Sequence, residues 1–170
     1  MFTITNFVSK QRAEIFWEPS GQDTSVLISM TTPAIPDTVS WNCSPAKLHD
    51  DTWKAVLRLE YDDRDPGLMN AADVKHYRLF NEDDAVKILK FLKQHQDDTL
   101  HAICHCEAGI SRSAAVAKFI ARIYNLDFPP SYDVYNRHVF STLLRVYGTS
   151  LYGEGPLAVE DLPGLKGESK

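Results

Sequence analysis

Cysteine is scarce and odd in number: Cys43, Cys104 and Cys106 are the three in 170 residues. That count in a chain of this length is not a disulfide framework. Cys104 and Cys106 stand with one residue between them, and no second Cys or His pair follows at finger-like spacing, which argues against a structural zinc site. Long apolar runs are missing too. None approaches the ~20 residues of a membrane-spanning helix. The opening "MFTITNFVSKQRAE" lacks the basic start and apolar stretch of a secretory leader. No membrane association is therefore expected, and a reducing, cytoplasmic compartment is the expectation. A basic surplus is absent as well. The formal net charge is -5, whereas non-specific nucleic-acid binding needs a basic footprint, so no nucleic-acid partner is expected. Internal repeats and low-complexity tracts are also lacking.

What is present suffices for one core. Hydrophobic residues make up 44% of the chain, close to the average of globular domains. Residues 1–150 read as one domain. The glycine-, proline- and acid-dotted remainder, 151–170, reads as a mobile tail. Phe2, Ile4 and Phe7 suggest a half-buried first strand, followed by a short helix. "SVLISM" (Ser25 to Met30) is a compact apolar run that predicts a buried strand, and the prolines after it mark a long connection. "KAVLRLEY" (Lys54 to Tyr61) predicts the next strand and runs into the acidic turn "DDRDPG". A helix with a wide apolar stripe follows, with Asp83 or Asp84 as its expected cap. "LHAICHC" predicts a strand and "SRSAAVAKFIARIYN" a helix. A last helix is expected to start near Ser131 or Asp133, with Val139, Phe140, Leu143, Leu144, Val146 and Tyr147 inward. Strands and helices interleave, so the fold class is α/β, a central mostly parallel sheet flanked by helices.

One stretch carries chemistry. "HCEAGISRS" runs from His105 to Ser113 across the junction of a buried strand and a helix. A helix starting near Ser111 offers free first-turn amides and the positive pole of its dipole. Gly109 supplies the backbone freedom for a loop that curls into that helix. A phosphate dianion suits such a cradle, and the planar fork of Arg112 can hold two of its oxygens at once. Cys106 falls at the base of the cradle, where the same amides are expected to stabilise a thiolate when no phosphate is bound. His105 reads as an orienting residue. Ser113, or Ser111, offers a hydroxyl to the sulfur. Cys104 reads as a buried strand residue, badly placed for a disulfide with Cys106. Cys43 reads as a buried or loop thiol.

These residues resemble the signature of the cysteine-based protein tyrosine phosphatases, His-Cys-x-x-Gly-x-x-Arg-Ser/Thr. His105, Cys106, Gly109, Arg112 and Ser113 match every fixed position, and the pattern of elements resembles the family from about Phe2 to Tyr147. The short chain is similar to the compact dual-specificity-like branch and to small bacterial or phage-type members. The resemblance implies a phosphate-binding loop, Glu107, Ala108, Gly109, Ile110, Ser111 and Arg112, between strand and helix. It also implies a two-step hydrolysis through a phosphocysteine on Cys106, without cofactor or metal. A carboxylic acid is implied after the strand that precedes the long helix; Asp62, Asp63 and Asp65 are the candidates. Period-two continuation from Leu57, Leu59 and Tyr61 favours Asp63. The separation from Asp63 to Cys106 is longer than the family's usual one, and the surplus around "PGLMNAADVKHYRLF" is expected to form a lid or substrate wall.

None of the variable loop positions Glu107, Ala108, Ile110 and Ser111 is basic, which disfavours an inositol polyphosphate. Ile110 offers an apolar wall to an aromatic ring. The expected partner is a phosphorylated protein or peptide, with phosphotyrosine leading and phosphoserine or phosphothreonine admitted by a shallow pocket; a monomer is expected. The competing readings are a phosphate-binding module without turnover, a sulfurtransferase or arsenate reductase, and an RNA 5'-triphosphatase of the same superfamily.

Overall fold

The computed structural model describes residues 1–15, 24–33, 45–49 and 52–165. Cys43 and most of the proline-marked connection lie outside the described residues, as do 166–170. The elements are β1 (Ile4–Ser9), α1 (Lys10–Ile15), β2 (Ser25–Thr31), β3 (Ala55–Glu60), α2 (Ala71–Val74), α3 (Glu82–His95), β4 (His101–Cys106), α4 (Arg112–Tyr124) and α5 (Arg137–Leu151). The protein is α/β. Its four strands form one all-parallel sheet in the order β1-β4-β2-β3, with helices packed against it.

The two central strands are buried on both faces, as parallel strands covered by helices are. Alternation along them divides the core. Val26, Ile28 and Met30 of β2 and Ala102, Cys104 and Cys106 of β4 face the main cluster, built with Ile88 and Leu89 of α3, Phe119 and Ile120 of α4, and Leu143 of α5. Leu27 and Ile103 face a smaller cluster with Val8, Ala13 and Trp53. The Cys106 side chain thus lies on the α3–α4–α5 side of the sheet. Because all strands run parallel, their C-terminal ends share one edge, and Ser9 of β1 stands level with Cys106 of β4.

Three expectations need correction. The cap of α3 is Asn81, not Asp83 or Asp84. The Asn81 side chain accepts from the Asp84 amide at 3.0 Å, and Asp84 answers to the Asn81 amide at 3.2 Å. Asp84, only 1% exposed, is also gripped by both guanidinium nitrogens of Arg78, at 2.7 and 2.8 Å. The last helix starts later than Ser131 or Asp133, because Asn136 holds the cap by accepting from the Val139 amide at 3.0 Å. Finally, the segment after α5 is not a mobile tail up to Leu165. Leu157 and Leu162 are buried in the main core. Tyr147 donates to the Pro163 carbonyl at 3.1 Å, and the Gly164 amide donates to Gln96 Oε1 at 2.8 Å. A Cβ on Gly155 would stand 2.3 Å from the Ser150 nitrogen, so this glycine is a packing contact. Sparse leucines among glycine and proline hid a segment that closes the core. The domain therefore runs past residue 150.

Candidate active site

The buried strand β4 ends at Cys106, and after five intervening residues α4 begins at Arg112. The turn between them is fixed by close approach. Gly109 has φ +70°, and a Cβ there would lie 2.3 Å from the Ser9 nitrogen and 2.4 Å from the Val8 carbonyl carbon. Those are backbone atoms that cannot swing away, so only glycine fits. The Lys10 amide donates to the Glu107 carbonyl at 3.2 Å, and the Glu107 carboxylate lies 3.6 Å from Lys10 Nζ. The Glu107 side chain is thereby occupied with α1. On the other flank, Tyr132 donates to the Ile110 carbonyl at 2.7 Å. Burial, and then the proximity of Cys106, raises the Tyr132 phenol, which keeps that donor protonated.

Cys106 is 2% exposed, and its Sγ stands 3.1 Å from Ser113 Oγ. Ser113 is therefore the hydroxyl at the sulfur; the Ser111 hydroxyl points elsewhere. Arg112 is 3% exposed. Its Nη1 donates to the Tyr61 carbonyl at 2.6 Å and its guanidinium carbon lies 5.8 Å from the Tyr61 ring centroid. Its Nε is buried and meets no acceptor among the described residues. A buried cationic donor left unmatched is costly and calls for a reason. The side chain of Ser111 caps none of the first-turn amides of α4.

The three aspartates separate by their partners. Asp62 accepts from the Arg78 amide at 2.8 Å, and Asp65 accepts from the Gly67 amide at 2.9 Å to cap the turn Pro66–Leu68. Both are occupied in local backbone. Asp63 instead reaches the loop: its Oδ1 accepts from Ser111 Oγ and from Asn136 Nδ2, each at 2.8 Å. Its Oδ2 meets no donor among the described residues. Asn136 links the whole arrangement, because its amide also donates to the Ser111 carbonyl at 3.1 Å.

No protein-family model, curated protein or solved structure matches this chain.

His105 is fully buried beneath the loop, on the sheet face opposite Cys106, with Nε2 2.8 Å from Ser29 Oγ of β2. Burial pushes its imidazole down to about 4, helped by Arg58, Lys10 and Arg112. A neutral imidazole that ties strand to strand suits an orienting role. This carries a stability cost in acid. An unfolded histidine titrates near pH ~6.5. Above that value both states are neutral and the fold keeps its full stability. As pH falls from ~6.5 toward 4, the unfolded chain takes up a proton that the folded one refuses, and roughly 3 kcal/mol is lost across the window. Urea denaturation from pH 7 to 4 should show this decline, and His105→Gln should remove that part of the slope.

Cys104 is buried and free. Burial, and secondarily Cys106, drives its thiol upward, so it is an inert core residue. Among the described residues no cluster of metal-ligating side chains occurs, and no helix is long and apolar enough to cross a membrane. Sequence reasoning missed Ser29, Tyr61, Tyr132 and Asn136. Ser29 had a signal, as the polar residue inside an otherwise apolar strand. Asn136 had one as an Asn before a helical stripe. The carbonyl of Tyr61 had none, since a main-chain acceptor leaves no mark on residue type.

Proposed function

We propose that this chain is a cysteine-dependent, metal-independent phosphatase acting on phosphotyrosine in proteins or peptides, of the kind its signature resembles. The observation that carries the reading is the buried Arg112 guanidinium. It is anchored by Nη1 to the Tyr61 carbonyl and keeps a buried, unmatched Nε, at the start of the helix whose next residue, Ser113, meets Cys106 Sγ. In this reading, residues 107–112 form a phosphate-binding loop, whose first-turn amides and Arg112 hold the phosphoryl oxygens. The Cys106 thiolate attacks phosphorus, and the bond to the tyrosyl oxygen breaks. Asp63, through Oδ2, gives that oxygen its proton. Asp63 then takes a proton from water, whose oxygen attacks the phosphocysteine. Inorganic phosphate leaves, and the thiolate returns with Ser113 donating to the sulfur. The half-exposed Ile110 side chain supplies an apolar wall for the ring. A free thiol of this kind suits a reducing compartment, and the cytoplasm is the proposed one. A phosphate-binding module without turnover would need the loop and Arg112 alone. The hydroxyl at the sulfur and a carboxylate held over the loop favour the enzyme.

The test is phosphate release from one peptide phosphorylated on tyrosine, serine or threonine. Phosphotyrosine should turn over fastest; no release from any of the three would contradict the proposal. Asp63→Asn should slow turnover by about 100-fold for poor leaving groups and much less for p-nitrophenyl phosphate, which leaves without a proton. An equal slowing for both would remove Asp63 from the acid role.

A further inference from the structure

A cleft of about 440 Å³ opens beside the loop, lined by Ser111 and Asp63 but not by Cys106. Arg64 and Arg137 are among the residues that line it. Both are exposed, and among the described residues neither guanidinium meets a carboxylate. Each stands over an aromatic face: Arg64 lies 4.9 Å from the Tyr77 ring centroid and Arg137 5.7 Å from that of Tyr135. Stacking limits the freedom of the long side chains while leaving their hydrogen-bonding edges to the solvent.

Arg137 is also in an unfavourable place for folding. It is the first residue of α5, a helix with no acidic residue in its first turn. A cation there opposes the positive pole of the helix dipole. Its placement is accounted for if the charge serves a ligand. Apolar surface completes the cleft: Leu68 is 88% exposed and Val134 61%.

We propose that this cleft binds the segment flanking the phosphorylated residue, with Arg64 and Arg137 selecting a carboxylate side chain near the phosphotyrosine. The proposal rests on the phosphatase reading of the adjoining loop. A carboxylate is favoured over a second phosphate because Asp65 also lines the cleft. Its charge opposes a dianion more than a monoanion. A planar carboxylate also matches a guanidinium fork. The apolar rim of Leu68 and Val134 accepts the aliphatic part of the segment.

The experiment uses phosphotyrosine peptides carrying glutamate, glutamine or phosphoserine at one position, moved from one to three residues either side of the phosphotyrosine. kcat/KM and fluorescence anisotropy are measured for each. At the best position the glutamate peptide should exceed its glutamine counterpart by about fivefold, the scale of partly screened ion pairs, and the advantage should shrink as salt rises. In Arg64→Ala/Arg137→Ala the ratio should fall to about one. A ratio of one in the unaltered protein, a ratio unchanged in the double variant, or a preference for phosphoserine over glutamate would each overturn the proposal. Tighter binding of the glutamate peptide without any turnover would retain the cleft and sink the phosphatase reading. Turnover with no glutamate preference in rate or binding would do the reverse.

Discussion

Cys106→Ser is expected to lower phosphate release from a phosphotyrosine peptide by at least about four orders of magnitude, while the peptide still binds. The two effects separate because sulfur and the loop do different work. A serine hydroxyl keeps the size of the buried site and can still meet Ser113 Oγ, now 3.1 Å from the sulfur. It is a far weaker nucleophile than a thiolate, and it is a poor leaving group in the second step. The loop closure through Gly109 and the Arg112 anchor do not depend on the sulfur, so anion binding survives. Phosphate release and anisotropy on the same preparation check both halves. Residual turnover within tenfold of the unaltered protein would mean another nucleophile.

Arg112→Lys is expected to lower kcat/KM by about 100- to 1000-fold, through both kcat and KM. In the proposed reading the guanidinium spans two jobs at once: Nη1 holds the Tyr61 carbonyl at 2.6 Å, and the unmatched Nε is kept for the phosphoryl group. An ammonium is a single point and cannot fill both positions. A lysine that keeps the Tyr61 carbonyl abandons the phosphoryl group. One that turns to the phosphoryl group leaves a buried carbonyl unmet. A thermal melt alongside the kinetics separates lost folding from lost chemistry. A change of less than about tenfold in kcat/KM would remove Arg112 from the phosphate-binding role.

The residues of the loop were legible because chemistry restricts them by type. Cys106, Arg112 and Ser113 lie in one short stretch, and the structure brings the Ser113 hydroxyl to the Cys106 sulfur. Asp63 was legible only in part. Strand alternation pointed at it, but three aspartates in one turn are alike by composition. What separates them is distant: Arg78 claims Asp62, the Gly67 amide claims Asp65, and Ser111 and Asn136 claim Asp63. Asn136 could not be linked to Asp63 from the sequence, since the contact spans the chain between β3 and α5. The elements were found because periodicity marks a buried face, whereas their ends depend on single capping bonds such as those of Asn81 and Asn136. The segment after α5 misled for a different reason. Leu157 and Leu162 carry no periodic pattern, and the segment that buries them is tied down by Gly155 against Ser150 and by the Gly164 amide on Gln96, contacts that composition does not encode.

The central claim is that sulfur takes the phosphoryl group. Rapid acid quenching of the protein with a phosphotyrosine peptide, followed by mass spectrometry of the digest, tests it directly. The account predicts one phosphoryl group on the fragment holding Cys106, carried by Cys106 and absent from Cys106→Ser. Steady phosphate release with an unlabelled Cys106 fragment, or a label on another residue, would contradict it.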